Sequence, residues 1–153
     1  MTCSPRARPT IASPRLQALY AYWNKQRAGR PMPSRADFDP VDIPRLLPNL
    51  ILMDVEPGTG RLKVRVAGTT VVEMYGSDYT GRYLDEIEFG DRRPAVLHDY
   101  TTCLETRQPY VSEHSFWTDR EFTYRIERVI LPLSDDGETV SHLVSGLEFD
   151  TTE

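Results

Sequence analysis

The order of strand-like and helix-like segments most constrains the fold of this 153-residue chain. Two strand-like runs, 50–56 and 61–67, are followed by a block of helix-like segments, and three more strand-like runs follow at 110–118, 122–133 and 140–149. A parallel sheet needs a long crossover, usually a helix, between successive strands, and neither group of strands contains one. The sequence therefore predicts an α+β domain with antiparallel strand pairing.

The second strand-like run has a readable pattern. The turn 57–60 joins it to the first run, and its two glycines permit the positive φ angles of a hairpin. Apolar residues occupy positions 62, 64 and 66, and basic residues occupy 61, 63 and 65. Because successive side chains of a strand point to opposite faces, we expect Leu62, Val64 and Val66 to share one buried face.

The first residues divide into an arm and a helix. Residues 1–14 are rich in Pro, Arg and Ser, so we expect a disordered arm, followed by one domain over residues 15–149. Leu16, Leu19, Tyr20 and Trp23 then recur at helical spacing, which predicts an amphipathic N-terminal helix. Such a stripe packs on its own sheet or pairs with a second copy, so these four residues are also candidates for a dimer interface.

Capping residues predict three more helices. Asp39, followed by Pro40, should cap a short helix over residues 40–47. Thr69 or Thr70 should cap a helix over residues 71–75, which Gly76 ends. A longer helix should run between residues 91 and 107, where Asp91 and Arg107 suit the helix dipole. Its apolar stripe should consist of Val96, Leu97, Tyr100 and Leu104, which recur at helical spacing.

Charge and composition exclude several classes of protein. The net charge of -5 and the pI near 5.2 argue against nucleic-acid binding, which needs a basic surface. The chain contains no apolar run long enough to cross a bilayer and no secretory signal, so we expect a cytoplasmic protein without membrane contact. Cys3 and Cys103 alone make neither a disulfide framework nor a metal site.

A set of short sequence motifs resembles a known family. In the second half the motifs are Gly68, Tyr75-Gly76, Thr80-Gly-Arg82 and 131–137; in the first half they are Tyr22-Trp23, 32–40 and 43–48. Together with the order of the segments, they resemble compact single-domain bacterial PAS-like proteins from about residue 16 to residue 149. The resemblance implies a five-stranded antiparallel sheet covered by helices on one face, and a sensory role.

The resemblance also implies a ligand pocket between the sheet and its helical cover, and a signal passed to a partner by protein contact. The candidate pocket residues are Val64, Val66, Met74, Tyr75, Tyr100, Leu104, Trp117, Ile126 and Arg128. Alternation places Arg128 on the same strand face as Ile126, so a buried cation needs an acceptor. That acceptor is an ion-pair partner among Glu127, Asp99 and Glu148, or an anionic or aromatic small ligand.

The sequence contains few residues suited to holding a cofactor or to catalysis. His98 lies on the long helix, where some PAS oxygen sensors hold haem, but we expect it to be a solvated side chain. Flavin photochemistry in the light-sensing relatives needs a cysteine that the segment 76–79 lacks, so we expect no flavin. The acidic stretch 34–39 lacks the glycine and the final glutamate of a calcium loop, so we expect no metal. His98, His114 and His142 are not accompanied by a catalytic motif, and we expect no enzyme.

Three hypotheses remain. The first is a PAS-type sensory module that binds a small ligand and reports to a signalling partner, as a homodimer. The second is a structural dimerisation or interaction domain with a packed core and no ligand. The third is a small cavity enzyme. The volume of the interior discriminates between the first two, because a ligand pocket needs about 300 Å³ or more.

Overall fold

A computed structural model describes residues 10–89, 92–117 and 123–152. It contains α-helices α1 (Pro14–Arg27), α2 (Thr69–Tyr75) and α3 (Arg93–Thr106), and strands β1 (Leu50–Val55), β2 (Leu62–Ala67), β3 (Tyr110–Trp117), β4 (Thr123–Leu133) and β5 (His142–Thr152). Single 3-10 turns lie at Pro40–Asp42, Leu47–Asn49 and Leu84–Glu86.

The five strands form one antiparallel sheet in the order β2-β1-β5-β4-β3. The last strand therefore lies at the centre, where it pairs with both β1 and β4. β3, β4 and β5 follow one another as a meander, and β1 and β2 form a hairpin. The α+β class and the five-stranded antiparallel sheet are confirmed.

Helices cover both faces of this sheet. α3 lies on the face to which Arg128 of β4 and Ser145 of β5 point, where Asp99 and Tyr100 contact them. The neighbouring residues Glu127 and Gly146 belong to the opposite face, and α1 lies there. The N-terminal helix thus forms a second layer on the side of the sheet away from α3.

α1 approaches the sheet closely at Gly146. A Cβ atom at Gly146 would lie 2.5 Å from Cδ2 of Leu19 and 2.8 Å from Cδ2 of Leu16, distances that real Cβ contacts do not show. The indole N–H of Trp23 donates a hydrogen bond of 2.9 Å to the carbonyl of Pro132. Leu16, Leu19 and Trp23 are no more than 2% exposed, and Tyr20 is half-buried beside Trp23. This burial supports the first of the two readings of the stripe, packing on the sheet of its own chain.

The segment before α1 also packs on the sheet. Ile11 and Ser13 are buried, and the backbone N–H groups of Ala12 and Ser13 donate to the carboxylate of Glu127 at 2.7 and 2.8 Å. Ser13 caps α1 and donates through its hydroxyl to Glu148. Residues 11–13, expected to belong to the disordered arm, are therefore part of the folded domain; residues 1–9 lie outside the described chain.

A register shift in the first hairpin corrects the predicted alternation. Met53 of β1 pairs with Val64, but the preceding residue, Leu52, pairs with Val66. One residue of β2, Arg65, is therefore left without a partner position on β1. Such a bulge moves the following side chain to the other face. Leu62 and Val64 are buried as expected, whereas Val66 is 45% exposed.

The shorter helices differ from their predicted bounds. The expected helix over 40–47 is two separate 3-10 turns, although Asp39 caps the first of them by accepting from the N–H of Val41. Gly68 rather than a threonine precedes α2, because a Cβ there would lie 2.2 Å from the carbonyl oxygen of Leu47. α3 begins at Arg93, and Asp91 lies outside the described residues. Within the described chain, every helix is too short or too polar to cross a bilayer.

Candidate functional site

The sheet-facing side of α3 supplies the centre of the candidate site. Val96, Asp99, Tyr100 and Cys103 are its buried residues, and their spacing of three and four positions places them on one side of the helix. Leu97 and Leu104, which the sequence pattern placed in the stripe, are only half-buried. A carboxylate therefore points at the sheet from within an otherwise largely apolar helix face.

Asp99 meets the guanidinium of Arg128. Nη1 of Arg128 lies 2.7 Å from Oδ2 of Asp99, and each side chain is only 1% exposed. Nη2 lies 3.3 Å from the hydroxyl of Tyr75, and the guanidinium carbon lies 5.6 Å from the ring centre of Tyr100. Of the three partners that the sequence left open for Arg128, the structure selects Asp99.

Several groups keep Arg128 charged. Burial lowers the pKa of Arg128, but Tyr75, Tyr100 and Asp99 outweigh this effect and raise the pKa above its usual range. Nε of Arg128 is buried and has no hydrogen-bond partner among the described residues. The cation is therefore held by the carboxylate and the phenols around it, with one donor left unsatisfied.

Two residues of β3 complete the polar cluster around Asp99. Ser112 pairs with Arg128 across the strands, and its hydroxyl donates to Oδ2 of Asp99 at 2.6 Å. His114, two residues later on the same face, has Nε2 2.9 Å from the same oxygen. Asp99 thus ties α3 to both β3 and β4 through a single carboxylate oxygen.

This cluster contains serine, histidine and aspartate but not the geometry of a catalytic triad. In a triad the histidine lies between the serine and the aspartate and accepts the serine proton. Here Ser112 and His114 both contact Asp99, which is at the centre, and the Ser112 proton points to the carboxylate. The arrangement joins α3, β3 and β4 and differs from that of a triad.

The interior between the sheet and the helical cover is almost completely filled. Among the described residues, a small void of about 20 Å³ lies between Val64, Tyr75, Tyr100 and their neighbours, enough for about one water molecule. Tyr75 packs against Tyr79, Phe89 and Phe149 with ring centres 6.0–6.3 Å apart. The described residues around this void leave no pocket of about 300 Å³.

The candidate pocket residues do not converge on one cavity. Val64, Tyr75 and Tyr100 line the small void, and Ile126 and Arg128 are buried beyond it on the same sheet face. The bulge turns Val66 outward, and Met74 is 36% exposed because it lies on the outer side of α2. Leu104 lines a surface groove at the end of the sheet, and the side chain of Trp117 lies outside the described part.

Two buried groups on α3 have shifted proton affinities. Burial raises the pKa of Tyr100 to about 12, and its hydroxyl donates to Ser145 at 2.9 Å. Burial also raises the pKa of the Cys103 thiol, which lies 3.6 Å from the carbonyl oxygen of Ile130. Both groups therefore stay protonated near neutral pH.

His98 does not face the interior. Its side chain is exposed, and its ring lies 6.3 Å from that of Tyr110 at the outer edge of the sheet. Among residues 10–89, 92–117 and 123–152, no three His, Cys, Asp or Glu side chains come together in a way that could hold a metal ion. The position of His98 gives no support to haem ligation.

The sequence reasoning named Asp99 only as one of three possible partners of Arg128 and did not recognise it as the centre of a polar cluster. Its signal was available, because position 99 lies between Val96 and Cys103 on the buried side of α3. Ser112 and His114 lie two positions apart on β3, and this spacing places them on one strand face. A buried arginine on one strand and a polar pair on the next predict a carboxylate nearby.

Comparisons with known proteins agree with this architecture. The family model described as "PAS domain" matches residues 11–147. The dark-state blue-light photoreceptor domain Aureochrome1 LOV is similar in structure, with a TM-score of 0.54 and 11% identity over 76% of this chain and 85% of the other. A PAS domain from Colwellia psychrerythraea has a TM-score of 0.51 and 9% identity over 74% of this chain and 98% of the other. A LOV protein from Rhodobacter sphaeroides has a TM-score of 0.51 and 12% identity over 73% of this chain and 68% of the other. A search of curated proteins gave no match.

Proposed function

Because the chain belongs to the PAS domain family, whose members typically act as sensory signalling domains, we propose that it is a signalling module that works by protein contact through a packed domain. In this proposal the space between the sheet and the helices holds no small molecule, and the chain is not an enzyme. The observation that carries the proposal is the filled interior, with a void of about 20 Å³.

The residues in the interior do not fit a flavin. The similar Aureochrome1 LOV domain is a blue-light photoreceptor, and another similar light-oxygen-voltage domain was studied with a flavin analogue. A cofactor of that size needs a pocket of several hundred Å³. In this chain Tyr75, Phe89 and Tyr100 line a void of only about 20 Å³, and the buried thiol of Cys103 lies against the carbonyl of Ile130.

The Arg128–Asp99 cluster supports the same proposal. An anionic ligand would have to compete with Asp99, which already lies 2.7 Å from the guanidinium. The buried ion pair gives α3 one position on the sheet, because any shift of α3 separates two desolvated charges. A rigid link between α3, β3 and β4 suits a domain that presents fixed surfaces to another protein.

A homodimer of this chain would have to use surfaces other than the α1 stripe. Leu16, Leu19 and Trp23 face the sheet of their own chain and offer no apolar patch to a second copy. Light scattering of the full chain measures whether a dimer forms at all.

Mass spectrometry of small molecules released by denaturation tests the proposal. We expect the protein purified from cells to release no compound in stoichiometric amount, and to show no absorbance band between 350 and 500 nm. A LOV domain purified in parallel is the control that retains its flavin. Stoichiometric release of a flavin, a haem or any metabolite from this chain would refute the packed-module proposal.

A further inference from the structure

An open groove lies at one end of the sheet. It is formed where the β1–β2 turn and the β4–β5 turn meet the C-terminal end of α3, and its volume is about 770 Å³. The lining consists of residues 55–60, 104, 105, 107, 135, 136 and 138–141. We call it the polar-end groove. It is separate from the interior between the sheet and the helices.

The charge of the protein is concentrated in this groove. Glu56, Glu105, Asp135, Asp136 and Glu138 line it, and its one basic lining residue is Arg107. Five acidic and one basic side chain give a net charge of -4, compared with -5 for the whole chain. A concave surface with one sign of charge focuses the electric field and attracts ligands of the opposite sign.

The end of α3 strengthens this negative potential. The helix points its C-terminal carbonyl groups towards the groove, and its last turn contains no basic residue. Arg107 follows the helix, and its guanidinium donates to the backbone carbonyl of Glu138 at 3.1 Å. The only cation of the lining is therefore already engaged by the β4–β5 turn.

The acidic residues of the groove differ in whether their carboxylates already accept hydrogen bonds. Glu56 accepts from Thr59 and Tyr83, and Asp136 accepts from backbone N–H groups that hold its pKa at about 2. The side-chain carboxylates of Glu105 and Glu138 have no hydrogen-bond or ion-pair partner among the residues that the structure describes. Both are exposed, one on α3 and one on the β4–β5 turn.

The floor of the groove is apolar. Val140 is buried at its base, and Val55 and Leu104 are half-buried beside it. An apolar floor beneath an acidic rim favours a ligand with one or two apolar side chains flanked by cations. A free polyamine supplies the cations but only thin methylene linkers for the floor, whereas a peptide segment also supplies branched apolar side chains.

We propose that the polar-end groove binds a basic segment of a partner protein, with lysine or arginine side chains at Glu105 and Glu138 and an apolar side chain on Leu104 and Val140. The inference rests on the proposed function, since it names the surface and the kind of partner for that protein contact. The space between the sheet and the helices has no part in this binding.

Fluorescence anisotropy with a labelled Leu-Arg-Lys-Leu-Arg-Lys peptide tests the inference on the full chain. We expect saturable binding that weakens as salt rises, and a loss of at least about tenfold in affinity for the double variant Glu105→Lys, Glu138→Lys. The matched control is Glu73→Lys, Glu88→Lys, which makes the same change of net charge at exposed positions outside the groove. We expect the control to change affinity by less than about threefold. Circular dichroism and unfolding midpoints establish that both variants are folded.

Three results would overturn the inference: no binding of the peptide to the wild-type chain, equal losses in the groove and control variants, or spermidine displacing the peptide at equal concentration of charge. NMR shift changes outside residues 55–60, 104–107 and 135–141 would do the same. None of these results alters the mass spectrometry of released compounds, so the inference and the proposed function fail separately.

Discussion

Replacing Arg128 by methionine tests whether the ion pair with Asp99 holds α3 on the sheet. The charged atoms lie 2.7 Å apart, and both side chains are 1% exposed. Two unit charges about 4 Å apart attract by roughly 4 kcal/mol at an effective dielectric constant near 20. Removal of Arg128 leaves the buried Asp99 with Ser112 and His114 but without its guanidinium partner. Breaking a buried pair in this way costs about 3–5 kcal/mol in proteins. We expect Arg128→Met to lower the free energy of unfolding by this amount.

Urea unfolding followed by circular dichroism measures the loss, provided that the m-value is unchanged. Arg125→Met is the matched control, because Arg125 lies on the same strand and pairs with Asp150 at 3.0 Å while 52% exposed. A surface pair contributes about 0–1 kcal/mol, so we expect the control to lose no more than that. The double variant Arg128→Met, Asp99→Leu removes both charges and should recover most of the stability lost by Arg128→Met.

The reasoning is wrong if Arg128→Met and Arg125→Met lose the same free energy. It is also wrong if the double variant Arg128→Met, Asp99→Leu is less stable than Arg128→Met, since that result would mean that the two charges act independently. If Arg128→Met does not fold, the double variant still decides the question, because it should fold while the single variant does not.

Three further predictions concern the buried layers. Burial raises the pKa of Tyr100 from 10.0 to about 12, so between these pH values the native state keeps a proton that the unfolded chain loses. The free energy of unfolding should therefore fall from pH 10 to pH 12 by roughly 1.4 kcal/mol per pH unit. Urea unfolding measures this loss, and the Tyr100→Phe variant should lack this contribution. Gly146→Ala should cost about 1–3 kcal/mol in urea unfolding, because its Cβ would lie 2.5 Å from Leu19, and much less in a Leu19→Ala background. The Cys103 thiol, in a Cys3→Ser variant, should react with iodoacetamide only as fast as the protein opens, and rapid labelling of the native protein would contradict its burial.

The sequence predicted the strands well because their pattern is local. Alternation identified β2, and turn residues separated β3, β4 and β5 close to their observed bounds. The bulge opposite Leu52 and Met53 was not predictable, because it depends on how two strands fit together. Val66 was therefore assigned to the wrong face.

The candidate site was only partly predictable for a similar reason. Alternation correctly placed Arg128 on the buried face of β4, and the need for an acceptor included Asp99 among three choices. Which acceptor is used depends on the rotation of α3 about its own axis. The sequence pattern placed Leu97 and Leu104 on the buried side, whereas the buried side of α3 contains Asp99 and Cys103. The volume of the interior depends on the packing of all the layers together, and no local pattern contains it.

The position of α1 has a consequence for synthesis of the chain on the ribosome. The indole of Trp23 binds the carbonyl of Pro132, 109 residues later, and Leu16 and Leu19 rest on Gly146 of the last strand. The helix thus emerges long before the strands on which it packs, and its apolar stripe stays exposed to water or to chaperones throughout that interval. Closure of such distant contacts is slow compared with hairpin formation. The N-terminal helix is therefore among the first elements made and the last to reach its native place.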